Sequence, residues 1–306
     1  MIKAAVTRTE AQHAAPEEYI NRQTLGAKLR EYAKSPLSLA LMILVMLSAL
    51  FAAGILLFIV GYILVNGIPN ITAEQFEWNY TPENQSMTPA IINTVLMTAL
   101  TLLIAVPVGI FAAVYLVEYA KRGNKLVKLI RITTETLSGI PSIVFGLFGF
   151  LMFVIHLKWG NAMLAGVITL AMMVLPLIIR TTEEALLAVP DSYREGSFGL
   201  GAGKMRTVFR VILPTAVPGI MSGVILAIGR IVGESAALIF TAGTYRAVPE
   251  SLMDSTATLT VHMYIQSNEG LHTDQAFASA VILLALTFII NLASDLIERR
   301  IARKKG

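Results

Sequence analysis

The chain has 306 residues, 55% of them hydrophobic and only 14% charged, and its mean hydropathy is positive. Soluble domains carry about 25% charged residues, so this composition excludes an ordinary soluble domain and points to a membrane protein. The absence of cysteine excludes disulfides and thiolate-held metals, and the distribution of the +4 net charge argues for membrane orientation over nucleic-acid binding.

Residues 1–36 are polar and mixed in charge. The first apolar run comes too late, and runs too long, for the core of a cleaved signal peptide. Tyr19, Ile20, Leu25, Leu29 and Tyr32 fall roughly on one helical face of residues 17–34, but a solvated tail that orients the first span accounts for this stretch better than a surface helix. A helical span needs about 20 apolar residues. Six runs meet that length or approach it: 37–65, 90–117 (interrupted by Pro107), 133–157, 162–179 (Pro176 near its end), 216–241 and 277–295. The third opens at Glu135 and holds Gly139, Pro141, Gly146 and Gly149. Two longer connections, 66–89 and 242–275, share one side; the second serves as a cap more naturally than as an idle link. Trp78, Tyr80, Tyr245 and Tyr264 suit headgroup level there.

An even number of spans puts both termini on one side. Of the 24 Lys and Arg, all but Lys158, Arg230 and Arg246 fall in the N-terminal tail, the 118–132 connection, the 180–210 stretch and the C-terminus. These alternate connections lie on one face, which the positive-inside rule makes cytoplasmic.

Two charges stand inside or beside the membrane. Arg230 lies about fourteen residues into the fifth run, roughly 21 Å along a helix and near the bilayer middle. Burying a guanidinium there costs at least about 2.5–3.5 kcal/mol, so it faces a cavity or a partner. Glu234 comes four residues later, on the same face of a continuous helix. The two either neutralise each other as a packing pair, or Arg230 binds an anion while Glu234 orders it or accepts a proton. Arg180 ends the fourth run, as a snorkelling residue or a second anion contact. Guanidinium suits phosphate and sulfate because its planar fork offers two parallel donors. Glu135, in the first turn of its span, complements the helix dipole. Gly219 and Gly223, then Gly229 and Gly233, are spaced for close helix packing.

Signs of catalysis are weak. Residues 199–205 (GLGAGKM) resemble a phosphate loop, but Phe198 stands where its first glycine belongs and Met205 where Ser or Thr belongs. His13, His156, His262 and His272 form no ligand pattern. An intramembrane enzyme built on Arg230, Glu234 or Glu135 would lack a nucleophile–base pair or metal set.

The loop after the fourth run carries a specific pattern. Glu195, Gly196 and Ser197, then Gly201 six after the Glu, then Val211, Leu213 and Pro214 match the spacing of the Glu-Ala-Ala motif of ABC importer permeases, with small-for-small and branched-for-branched replacements. A pair of small residues lets a short helix dock closely, and the glycine permits a turn. The segments SGIPSIVFGLFG (138–149), RTTEEALLAVPDSYREGSFGLGA (180–202) and IGRIVGESAALIFTAG (228–243) resemble phosphate permeases of the PstA type, from the second span to the sixth.

The resemblance implies an all-α integral membrane protein with six transmembrane helices in the type I ABC importer permease (MetI-like) fold. It implies a tail at 1–36, a permease domain at 37–298 with a coupling loop at 188–214, and a basic cytoplasmic end at 299–306. It makes Arg180, Arg230 and Glu234 part of an anion path, and Glu195, Gly196, Ser197, Gly201, Val211, Leu213 and Pro214 part of the contact with an ATPase. The implied setting is the bacterial inner membrane. The implied partners are a sister permease of the PstC type, two PstB-type ATPases and a periplasmic phosphate-binding protein of the PstS type. The chain itself binds no cofactor and no nucleic acid; ATP and Mg belong to the ATPase. Another oxyanion, sulfate or molybdate, is the alternative cargo.

Overall fold

The computed structural model describes residues 35–121, 123–270 and 272–303, with side chains to Leu296. The amphipathic stretch at 17–34, most of the proposed tail and residues 304–306 lie outside the described residues. Contact density divides the chain at Tyr62. The first unit holds most of α1 (Pro36–Gly67), a 32-residue helix without a charge or a polar stripe.

The second unit, from Ile63, is also helical. It contains α2 (Thr88–Val114, prolonged by a π-turn Tyr115–Tyr119), α3 (Lys125–Ser138), and α4 (Ser142–Gly149, prolonged by a π segment Phe150–His156). Next come α5 (Met163–Leu187), α6 (Asp191–Gly199) and α7 (Lys204–Thr207). A π segment, Val208–Ile212, joins α7 to α8 (Leu213–Val232); α9 (Ala236–Thr241), α10 (Leu259–Glu269) and α11 (Thr273–Arg303) complete the chain order. Among the described residues five helices are long and apolar enough to cross a membrane, or six if α3 and α4 together count as one.

The third run is not straight. Pro141 offers no amide hydrogen and disfavours helical backbone at Ile140, so the helix ends at Ser138 and restarts after a turn of 103°. Glu135 consequently lies in the last turn of α3, at the wrong end of the dipole for the stabilising role expected of it. Pro107 does not interrupt the second run, since α2 continues through it.

α5 is the centre of the unit: 67% of its apolar window is buried, against 39% for the next most buried span. Met97 and Gly109 of α2 close against Gly166 and Ile178 of α5, and α5 packs against α8 as well. A Cβ at Gly219 would strike Ala185, and one at Gly223 would strike Thr181, so these two glycines set how near the helices come. Gly229 and Gly233 meet no such neighbour, and the small-residue stripe therefore works only in its first half. Two buried threonines of α2 are satisfied within their own helix, Thr94 Oγ1 donating to Ala90 O at 2.7 Å and Thr98 Oγ1 to Thr94 O at 2.7 Å.

The polar segment at 242–258 folds down onto this bundle. Asp254 O and Leu252 O accept the otherwise orphaned N–H groups of Met163 and Leu164 at the start of α5, both at 2.8 Å. Asn93 Nδ2 donates to Ala247 O and Ala257 O at 3.0 and 3.1 Å. Gln266 of α10 donates to Gln85 Oε1 at 3.1 Å and accepts from Ser279 Oγ of α11 at 2.7 Å. Of the four aromatic residues placed at headgroup level, Trp78, Tyr245 and Tyr264 are exposed, but Tyr80 turns inward beneath the Arg246 guanidinium, 4.6 Å from its ring centre.

Candidate functional site: a broken span, a charged cleft and an exposed helical loop

The fourth and fifth apolar runs extend past their expected ends. α5 does not stop at Ile179 but continues to Leu187, so Arg180 is inside a helix and not at its end. The fifth begins at Lys204, not Ala216, and its continuous helix stops at Val232, short of Thr241. Val211, Leu213 and Pro214 accordingly sit in helix at the root of this span, Val211 in the π segment and the other two in α8.

The stop at Val232 changes the relation between Arg230 and Glu234. They do not share a helical face, because residues 233–235 are not helical. The buried Glu234 turns away, its Oε1 accepting Ala237 N at 3.0 Å across the start of α9. Among the described residues the half-buried Arg230 forms no ion pair. Antiparallel packing gives its depth. Gly219 lies against Ala185 and Gly223 against Thr181, so Arg230 stands level with residue 174, at the middle of α5. A guanidinium in the last turn of a helix that ends at mid-span gains from the negative end of the dipole. Interrupted membrane helices are a common way to build ion and substrate sites.

The same register puts Arg180 about six residues, roughly 9 Å along the helix, nearer the α6–α7 end. Arg180 Nε donates to Glu184 Oε1 at 3.0 Å. Alongside, Arg131 of α3 pairs with Glu183 of α5 at 2.5 Å. These four and Glu135 line a cleft of about 250 Å³ with Thr134 between them. Five charges from two helices converge here, and the sequence pattern singles out only Arg180 as a contact for an anion. Glu135 reads as a dipole partner only if its helix begins near Thr133, and α3 begins eight residues earlier, at Lys125.

The loop end is built from α6 and α7. Pro190 starts α6, and Gly201, at φ +79°, supplies the left-handed turn before α7. Glu195 and Gly196 face outward, and nothing stands within 4 Å of where a Gly196 Cβ would be. Ser197 Oγ lies 2.8 Å from Thr207 Oγ1 and ties α6 to α7. Leu200 is 91% exposed and Met205 70% exposed, with Phe198 and Tyr193 close in sequence and about half exposed. Large apolar side chains left exposed on a polar loop are available to another surface. Sequence reasoning missed these four. The signal was present as large apolar residues set among glycines and lysines.

Among the described residues, the long apolar helices meet at one side a polar loop with exposed large apolar side chains. Residues 105–304 match the family described as binding-protein-dependent transport system inner membrane component, and the chain belongs to that family of ABC importer permeases. It is 33% identical to the probable ABC transporter permease protein YqgI of Bacillus subtilis, over 84% of this chain and 94% of the relative. It is 32% identical to the phosphate transport system permease protein PstA 1 of Mycobacterium tuberculosis, over 71% of each. Its fold is similar to a chain of the inward-facing MetNI methionine ABC transporter, with a TM-score of 0.55 and 22% identity, covering 79% of this chain and 97% of that one. The chain is therefore a multi-pass inner membrane transport subunit of a type I importer, without a catalytic domain, and its family implies a separate ATPase and a binding protein as partners.

Proposed function

We propose that this chain forms half the pore of an ATP-driven phosphate importer. A sister permease of the PstC type would supply the other half, PstB-type ATPases would grip the 188–214 loop, and a PstS-type binding protein would deliver the anion from outside. The basic connections and both termini then lie in the cytosol, by the positive-inside rule. Relatives named as phosphate permeases, of which PstA 1 is one, support phosphate over sulfate or molybdate. The observation that carries the reading is Arg230: a half-buried guanidinium at mid-depth, beside a break in its helix, with its paired carboxylate candidate engaged elsewhere.

Arg180 supplies a second, shallower contact on the cytosolic side, where an incoming anion must compete with Glu184 for its fork. Glu234 holds the break in shape by capping α9. Glu195, Gly196, Ser197 and Gly201 form the face and turn of the loop that meets the ATPase, and Val211, Leu213 and Pro214 join that loop to the span. The pore needs low affinity only, since the delivery protein selects the cargo.

The test is phosphate uptake by vesicles reconstituted with the complete transporter, with sulfate and molybdate as competitors. Arg230→Gln removes uptake, by at least about a hundredfold if one charge-assisted fork of about 3 kcal/mol is lost, while subunits and ATPase stay assembled. Uptake at the wild-type rate in that variant refutes the role of Arg230. Stronger competition by sulfate or molybdate than by unlabelled phosphate reassigns the cargo.

A further inference from the structure

Glu195 faces outward from α6, but its neighbour Arg194 turns in. The Arg194 Nε and Nη2 donate to Glu118 Oε1 at 3.1 and 2.8 Å. Nη1 donates to Val189 O at 2.8 Å and to Asp191 Oδ1 at 3.1 Å, and Nη2 also to Leu186 O at 3.0 Å. One side chain thus joins α6, the end of α5 and the end of α2. The side chains of Arg194 and Glu118 are only 16% and 9% exposed, so the pair is little weakened by solvent. A buried ion pair is a poor device for stability alone, since apolar replacements often serve as well; it does fix geometry.

A second contact lands beside it. Lys204 of α7 places Nζ 5.2 Å from the ring centre of Tyr119. Both halves of the helical loop therefore rest on consecutive residues of α2. These residues belong to the π-turn Tyr115–Tyr119, closed by Ala120 N donating to Tyr115 O at 2.9 Å. A π-turn inserts one extra residue, which rotates the chain beyond it relative to an α-helical continuation, and such turns concentrate at functional sites. The Ser197–Thr207 contact lets α6 and α7 press on this turn together. Deeper in the bundle, α2 lies against α5 from Gly109 to Met97, opposite Ile178 to Gly166, so a displacement at Glu118 is carried along α5 past the level of Arg230.

We propose that the π-turn Tyr115–Tyr119 is the pad through which movement of the α6–α7 loop reaches the membrane helices, with Glu118 and Arg194 as its positioning residues and Tyr119 and Lys204 as a lesser second contact. This rests on the reading that α6–α7 meets an ATPase. A rigid pad makes ATP hydrolysis and anion movement one event; a loosened pad lets the loop move while the helices stay.

The test measures ATP hydrolysis and phosphate uptake in the same vesicles, with the complete transporter. In Glu118→Gln the ATPase stays bound and hydrolyses within about twofold of wild type, while uptake per ATP falls at least about fivefold. The charge-conserving Glu118→Asp keeps at least half of that ratio, and Tyr119→Leu alone lowers it about twofold. An unchanged ratio in Glu118→Gln overturns the proposal. So does a Glu118→Gln chain that fails to assemble while Tyr119→Leu and Lys204→Met, at exposed positions, leave the ratio unchanged. A wild-type chain that holds no ATPase overturns the transport coupling itself and this proposal with it, whereas a normal ratio in the variants overturns this proposal alone.

Discussion

The two ends of the α5–α8 pair are built by opposite means. At the end where α5 begins, residues 242–270 are bound to the bundle by Asn93, Thr94, Gln266 and Thr260, all buried, with bonds reaching across 28 to 181 positions of sequence. At the other end, α6 and α7 expose most of their side chains and touch the bundle through a few charged and aromatic groups. Many short bonds between distant segments make a frame; on the proposed reading, a few long side chains on an exposed loop make a lever. Membrane transport of the alternating kind needs one of each, because force applied at one end is useful only if the other resists.

The contrast predicts where damage should be structural and where it should be functional. The largest stability effect belongs to Asn93→Ala, which strands the carbonyls of Ala247 and Ala257 in a buried site. Unfolding in detergent should become easier by about 2–4 kcal/mol, and the folded fraction should keep a normal ratio of uptake to ATP hydrolysis. A loss of coupling at unchanged stability would reverse the assignment of frame and lever.

The frame should also be the acid-sensitive end. Burial first, and the Arg246 charge second, push His262 down from its ordinary value to about 3. Its ring meets Tyr80 edge-on, and the Arg246 that depresses it is itself paired with Glu269. Below pH 6.5 the unfolded chain takes up a proton that the folded chain refuses. Stability contributed by this residue is therefore lost as pH falls from about 6.5 toward 3, at about 1.4 kcal/mol per unit. Melting of wild type at pH 7 and pH 5 should differ by about 2 kcal/mol more than melting of His262→Phe. An equal pH dependence in both would show that this ring is not a determinant of the frame.

Much of this plan was legible in the amino-acid sequence, for a simple reason: apolar length and the placement of Lys and Arg are one-dimensional signals. The five long spans and the split of basic residues are of this kind. Helix ends were not legible where polar residues continue a helix. Residues 180–187 read as loop because they are charged, yet Arg180 and Glu184, one turn apart, sustain α5 through them. Lys204, Arg206 and Arg210 hid the true start of the fifth span in the same way. The break after Val232 was hidden for the reverse reason. Gly233, Glu234 and Ser235 sit between apolar stretches that suggest one helix, and only the bond from Ala237 N to Glu234 shows that the carboxylate closes a new one. Of the candidate site, the spacing from Glu195 to Pro214 is visible along the chain, while the Arg194–Glu118 contact spans 76 positions and has no local signature.

The lever is tested most directly at Leu200, in a chain that has no native cysteine. A single Leu200→Cys should react with a membrane-impermeant maleimide in inside-out vesicles and not in right-side-out ones, and bound ATPase should slow that reaction at least about tenfold by covering a side chain that is 91% exposed in the free subunit. Labelling from the outer side, or labelling at the same rate with and without the ATPase, would contradict the account.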